Sequence, residues 1–297
     1  MKMVRRNLSL YIMILPGLVL VLIYHYIPMA GITMAFQDFI PAKGLFGIQT
    51  WVGLENFEFA FQLKEMWRAV RNTFLISMGK IIFNLVFPLI VSLMLNEVRK
   101  ILFKRAVQTI IYLPYFISWV LLSVMMRDML STNGIFNAII SAFGGKSIFF
   151  LGDNKVFPWV LIISDTWKLF GYNTIIYLAA LTGVDPTLYE SAVIDGAGRW
   201  KQTIYITIPC ISATIVLLAV LSLGNIFNAG FDQIFNLYNP VVYESGDIID
   251  TLVYRMGLVN AQFSLSAAIG VAKSFVSCVL ISFSYFLASK YANYRIF

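Results

Sequence analysis

Four ionisable side chains, Lys80, Asp165, Lys168 and Lys273, fall inside otherwise apolar stretches of the chain. A charge at bilayer depth costs about 3 kcal/mol or more, so such residues turn towards a bundle interior or an aqueous cavity. Asp165 and Lys168 stand three apart, which places them on one helical face where they can pair. A structural ion pair is the first expectation for these two, and substrate contact the second. Lys80 and Lys273 can instead snorkel to an interface on their long aliphatic stems.

Covalent chemistry has little to work with. The single histidine, His25, stands between Tyr24 and Tyr26 without a nearby carboxylate, so no nucleophile and base arrangement forms around it. Cys210 and Cys278 lie in apolar runs, and neither a CxxC pair nor a zinc-type Cys/His spacing is present, so both read as packing residues. Gly144-Gly145-Lys146-Ser147 ends like a phosphate-binding loop, but that motif needs glycine five residues before Gly145, where Ile140 stands. The expectation is a chain that is not an enzyme and binds no metal or cofactor; any ATP and Mg would be used by a separate polypeptide. A membrane-embedded polysaccharide-processing enzyme would need converging His, Asp or Glu residues. An ion-coupled secondary transporter would need relay carboxylates, of which only Asp165 qualifies.

The elements that carry these residues follow from composition. Hydrophobic residues make up 59% of the 297 positions and charged ones 12%, against roughly 25% charged in a soluble domain. A hydrocarbon core about 30 Å thick takes roughly 20 apolar helical residues to cross. Six runs satisfy this: Leu8 to Pro28, Thr73 to Leu95, Gln108 to Met126, Val156 to Leu181, Pro209 to Ala229 and Ser264 to Ala288. The fold class expected is therefore an all-α integral membrane protein with six transmembrane helices. The first run follows Lys2, Arg5 and Arg6 like a signal peptide, but its length favours a retained anchor helix.

An even number of spans puts both termini on one side. That side holds eleven bases (Lys2, Arg5, Arg6, Arg99, Lys100, Lys104, Arg105, Arg199, Lys201, Lys290, Arg295) against four acids (Glu97, Asp185, Glu190, Asp195). The other side holds eight bases and ten acids. Since basic residues near span ends stay cytoplasmic, both termini are expected to be cytoplasmic in a cell membrane protein. The net charge of +7 is distributed between apolar runs rather than on one polar face, which argues against nucleic acid as a partner. Three outward segments, 30–72, 127–155 and 230–263, are long enough to hold structure. Within the second, Ile135, Phe136, Ile139 and Ile140 predict a short helix, either lying at the interface or packed on other outer loops.

The most informative stretch joins the fourth and fifth runs: Asp185-Pro186-Thr187-Leu188-Tyr189-Glu190-Ser191-Ala192-Val193-Ile194-Asp195-Gly196-Ala197-Gly198-Arg199-Trp200, continuing to Ile206-Thr207-Ile208-Pro209. Pro186 suits a helix start, while Gly196 and Gly198 permit a tight turn before a second helix. Such a projecting element suits docking into a partner's groove, and an ordinary surface loop is the competing reading. The stretch resembles the EAA loop of binding-protein-dependent ABC importer permeases of type I. Glu190, Ala192, Gly196, Ile206 and Pro209 match the pattern at its spacing; Ser191 replaces an alanine and Ile208 a leucine. The resemblance runs from about Arg68 to Ala288. Arg71-Asn72-Thr73, Tyr172-Asn173-Thr174 and Phe231 to Tyr238 look like the LplB-like polysaccharide permease branch of the sugar-permease superfamily.

The resemblance implies a division into residues 1–67 (an extra N-terminal helix and an extracellular segment), 68–289 (the transmembrane type-1 domain) and 290–297 (a cytoplasmic tail). It also implies a second permease subunit, expected to be a different homologue, two ABC ATPase subunits and an extracellular substrate-binding protein. The residues implied for ATPase coupling are Glu190, Ser191, Ala192, Asp195, Gly196, Ala197, Gly198, Ile206 and Pro209. For the substrate path of an oligosaccharide importer, aromatic rings that meet sugar C–H faces and amides that meet hydroxyls give Trp167, Tyr172, Asn173, Asn225 and Asn228 as candidates. Lys168 and Lys273 join them as possible partners of an acidic sugar.

Overall fold

The structure, a computed structural model, describes residues 8–45 and 47–291. Lys2, Arg5, Arg6, Arg295 and the end of the expected tail lie outside the described residues. The described chain is mostly helical, with one two-stranded ribbon, and it packs as two compact units.

The first unit takes the described part of Met1–Lys64 with Leu252–Ala272. Helix α1, Leu8–Val21, runs on through a π-helical turn, Leu22–Tyr26, and a 3-10 stretch, Ile27–Phe36. Its apolar window, in the candidate span Tyr11–Phe36, has no buried residue within the chain, as expected of a helix whose neighbours are lipid or another subunit. Strands β1, Gln37–Asp38, and β2, Thr50–Trp51, pair antiparallel, and α2, Glu55–Gln62, follows. Phe36 stacks on Trp51 at 5.7 Å between ring centroids, and Asn56 Nδ2 donates to the carbonyls of Ala35 and Gln37. These bonds satisfy backbone groups that so short a ribbon leaves open.

The second unit, Glu65–Thr251 with Lys273–Phe297, holds the transport-sized helices. Helix α3, Lys64–Asn96, contains the second expected span and extends it by about two and a half turns at its start. The fourth is one continuous helix, here labelled α7, Phe157–Leu181. These two pack closely: a Cβ on Gly79 would meet Ile162 Cδ1 at 2.4 Å, the small-residue contact by which membrane helices approach. Pro88 interrupts the hydrogen-bond ladder of α3, and α7 covers that region, with Tyr177 OH donating to Leu85 O at 3.2 Å. The apolar core gathers Ile76, Phe157, Leu161, Ile234, Leu237 and Ile248.

Two expected spans are not continuous rods. The third resolves into α4, Ile101–Phe116, and α5, Trp119–Met129, bent by 101°. Pro114 tightens the end of α4 into a 3-10 turn, Ile117 is extended, and the Ser118 hydroxyl accepts from Leu121 N–H to start α5 afresh. In the fifth, α9, Arg199–Cys210, begins ten residues before the expected start and meets α10, Ser212–Leu223, at 60°. A π-helical turn at Thr203–Thr207 and the missing N–H of Pro209 place the break there. Helix α10 ends at Leu223, short of the expected Ala229, and turns lead to α11, Phe231–Leu237. The last two long elements of interest are α12, Ile249–Tyr254, and α13, Phe263–Tyr291, the latter passing through both units.

Among the described residues three helices are long and apolar enough to cross a membrane, and counting each bent pair as one span gives five. Helix α7 is 25 residues long, sufficient for a sixth crossing at 1.5 Å per residue, although it carries Asp165 and Lys168. The short outward helix forms as α6, Ile135–Ala142, with Ile135, Phe136 and Ile139 exposed. Gly144, at φ +78°, closes it, and Gly145 N–H donates to Ile140 O at 2.9 Å, so the Gly-Gly-Lys-Ser run is a helix stop. Both cysteines are exposed rather than packed inside the chain.

Candidate functional site

The stretch between α7 and α9 folds as a helix, a glycine turn and a second helix. Asp185 caps α8, Pro186–Ile194, by accepting from Thr187 N–H at 2.9 Å, with Pro186 at the first helical position. That bond to Thr187 holds the Asp185 carboxyl below its ordinary pKa, because only the ionised form accepts it fully. The helix closes on Gly196, at φ +75°, a left-handed conformation that costs glycine little and other residues more. Ala197 N–H reaches back to Ala192 O at 2.8 Å, and the Gln202 side chain donates to Ala197 O at 2.8 Å. Tyr189 OH and Thr207 Oγ1, 2.9 Å apart, tie α8 to α9.

Several apolar side chains around this turn are exposed. Val193, Ile194, Trp200 and Tyr205 are exposed, Ile194 by 87% and Trp200 by 77%. Glu190, Ser191, Asp195, Gly196 and Gly198 are exposed with them, while Ala192, Ala197 and Ile206 are half-buried and Pro209 is exposed at the far end. Arg199 pairs with Glu97 at 3.4 Å, so the loop stands beside the basic connection between α3 and α4. Exposed as both partners are, the pair is worth under about 1 kcal/mol and indicates position more than stability.

The intramembrane charges are arranged differently. Lys80 Nζ lies 3.3 Å from Asp165 Oδ1 and donates to Ala229 O at 2.7 Å and to Gln233 Oε1. Gln233 Nε2 donates to Leu161 O and to Ser164 Oγ, both at 2.8 Å, and Asn84 Nδ2 donates to Asp165 Oδ2 at 2.9 Å. The three ammonium protons thus meet three acceptors in a node joining α3, α7 and the start of α11. Asp165 therefore pairs with Lys80 across two helices rather than with Lys168 along one. Lys168 donates to Tyr115 O at 2.7 Å and sits over the rings of Tyr115 and Trp119 at 5.4 and 5.7 Å. Lys273 pairs with Asp250 and does not reach for an interface. These partners lie 23 to 153 positions away in the sequence, beyond the reach of local spacing rules.

Of the substrate-path candidates, Lys168 and Tyr172 come together on Tyr115, whose ring stacks on that of Tyr172 at 4.2 Å. Trp167, Asn225 and Asn228 are exposed, and Asn173 is half-buried. Among the described residues no hydrogen bond or ring contact joins these four, or Lys273, to the Tyr115 cluster. The described residues contain no group of three or more His, Cys, Asp or Glu side chains that could hold a metal.

The class of protein is given by the family comparison, with which the broken, membrane-length helices are consistent. Residues 84–292 match the binding-protein-dependent transport system inner membrane component, and the chain belongs to that family. It is 38% identical over 298 residues to LplB of Bacillus subtilis (strain 168), covering all of this chain and 93% of that protein. It is 41% identical over 289 residues to the polygalacturonan/rhamnogalacturonan transport system permease YteP of the same organism, covering 97% and 90%. A chain of a bacterial ABC transporter involved in import of the acidic polysaccharide alginate superposes with a TM-score of 0.89 at 37% identity, covering 98% of each chain.

Proposed function

We propose that this chain is one of two permease subunits, expected to be unlike, of an ATP-driven importer of oligosaccharides, most of all acidic ones. Residues 68–289 form the transport domain, preceded by the added helix of residues 1–67 and followed by a cytoplasmic tail, 290–297. Two ATPase subunits, which bind and hydrolyse ATP with Mg, dock on the loop 185–209, and an extracellular binding protein delivers the sugar. The observation that carries the reading is the exposed apolar knob of Val193, Ile194 and Trp200, on a loop that the charge count of the sequence assigns to the cytoplasmic side. Each such side chain gains about 1.5 to 3 kcal/mol when covered, so a polar-rimmed apolar projection marks a partner surface. ATP-driven closure of the ATPase pair pushes this turn and switches the pathway between inward-facing and outward-facing states. The acidic-sugar assignment is supported by relatives that carry polygalacturonan, rhamnogalacturonan and alginate.

Purification of the intact complex from its own membrane, with every subunit identified, tests the assembly. ATPase and a second permease should accompany this chain, and uptake of an acidic oligosaccharide should vanish when its gene is removed. Uptake lost only for amino acids or peptides would overturn the substrate; isolation of the chain without an ATPase would overturn the mechanism.

A further inference from the structure

The three lysines inside the spans are all engaged, so a substrate carboxylate must find its cation elsewhere. At the start of α3 a cavity of about 430 Å³ is lined by Trp67, Arg68, Arg71 and Glu244. Its volume falls within the range of small-molecule sites, roughly 300 to 1,000 Å³. Arg71 is fixed in place: its Nε and Nη2 donate to Asn72 Oδ1 at 3.3 and 3.1 Å, and Nη2 also donates to Glu244 O at 3.1 Å. Arg68 is not used by the framework. Its Nε is buried without a hydrogen-bond partner, and among the described residues its guanidinium makes no ion pair. A buried, unpaired guanidinium nitrogen costs energy that a bound anion would return. Trp67, 56% exposed, contributes an apolar face beside it.

We propose that this cavity binds one uronate ring of an acidic saccharide on the extracellular side of the permease, ahead of the membrane pathway. Arg68 takes the carboxylate with Arg71 behind it, Trp67 covers a C–H face of the ring, and the Glu244 carboxylate accepts from hydroxyls. Two arginines against one glutamate leave the site net positive, so it selects acidic over neutral sugars. The site deepens the importer reading and rests on it for its side of the membrane. A glutamate or aspartate of the binding protein is the competing occupant, but it would make no use of an aromatic face beside a ring-sized hollow.

The test is direct binding of trigalacturonate, and of its methyl ester, to the purified intact complex in nanodiscs without binding protein, for the parent, Arg68→Gln, Arg68→Lys and Trp67→Ala. Loss of one charge-assisted contact lowers affinity about tenfold to a hundredfold. Trigalacturonate should therefore bind the parent at least tenfold more tightly than the ester, and Arg68→Gln should remove that preference while leaving ester binding unchanged. Arg68→Lys should retain part of it, and Trp67→Ala should weaken both ligands alike; these two serve if Arg68→Gln does not assemble. A parent that fails to bind trigalacturonate, or that binds acid and ester equally, overturns the proposal. So does an Arg68→Gln complex that binds trigalacturonate normally while losing stimulation by the binding protein for neutral sugars too, which would give the cavity to that protein. The importer reading fails separately, through a parent complex that imports no oligosaccharide whichever probes it binds.

Discussion

At Lys80 three acceptors surround one ammonium and the helices around it are locked together; at Ile194 an apolar side chain stands 87% exposed at the end of a short helix. The first is a charge inside a span, and the second is a hydrophobe on the connection between two expected spans. The first is compensated inside the chain and the second is not. Internal compensation marks a structural joint, whereas the apolar side chains left uncovered on this turn are where the proposed function places the ATPase.

Breaking the Lys80 node should produce the largest effect. Asp165→Leu leaves a buried cation without its counter-ion and should cost about 3 to 5 kcal/mol, seen as a markedly lower thermal midpoint and poor recovery from membranes. The double variant Lys80→Met/Asp165→Leu removes both charges and should regain much of that loss. Equal damage from the single and double variants would mean that the pair is not the joint described.

On the exposed side, Gly196→Trp should leave the fold intact, since a Cβ there meets nothing within 4 Å, yet cut substrate-stimulated ATP hydrolysis by about tenfold or more through steric block and strain at φ +75°. Glu190→Ala and Trp200→Ala should each weaken ATPase association by about tenfold, the scale of one buried interface side chain. If these variants assemble and transport like the parent while the Lys80 variants fail, the contrast between the two regions survives but the turn is not the coupling element.

The smallest effect is predicted at Asp185. Asp185→Ala removes the helix cap and should lower hydrogen-exchange protection of residues 187–190. The folded-state pKa of Asp185 is depressed, so its contribution is present above the ordinary carboxylate value near 3.9 and is lost as pH falls through the lower folded value. Protection in the parent should therefore fall at acidic pH, while Asp185→Asn, which caps without ionising, should stay flat.

The helix-glycine-helix turn is legible because its determinants are local: Asp185-Pro186 starts a helix, Gly196 permits the left-handed turn and Gly198 opens the next helix. Apolar runs likewise place α7 and α13 to within about a turn, while α3 begins earlier than its apolar run. The Lys80 to Asp165 pair, 85 positions apart, depends on the packing of α3 against α7, which no spacing rule encodes. Nor could the bend at Ile117 be read from Pro114 and Ser118, since either residue can also occur inside a straight helix. In the sequence Arg68 is an ordinary outer-loop charge; what distinguishes it is a buried Nε that has no hydrogen-bond partner among the described residues.

The central claim, that the turn after α8 is where this permease meets its ATPase, is tested most directly by cross-linking in the native complex. A photo-reactive residue at Ile194, with Phe143 in a segment expected to face outward as control, should capture the ATPase subunit at Ile194 and never at Phe143. Capture of the extracellular binding protein at Ile194, or of the ATPase at Phe143, would contradict both the docking surface and the orientation of the chain in the membrane.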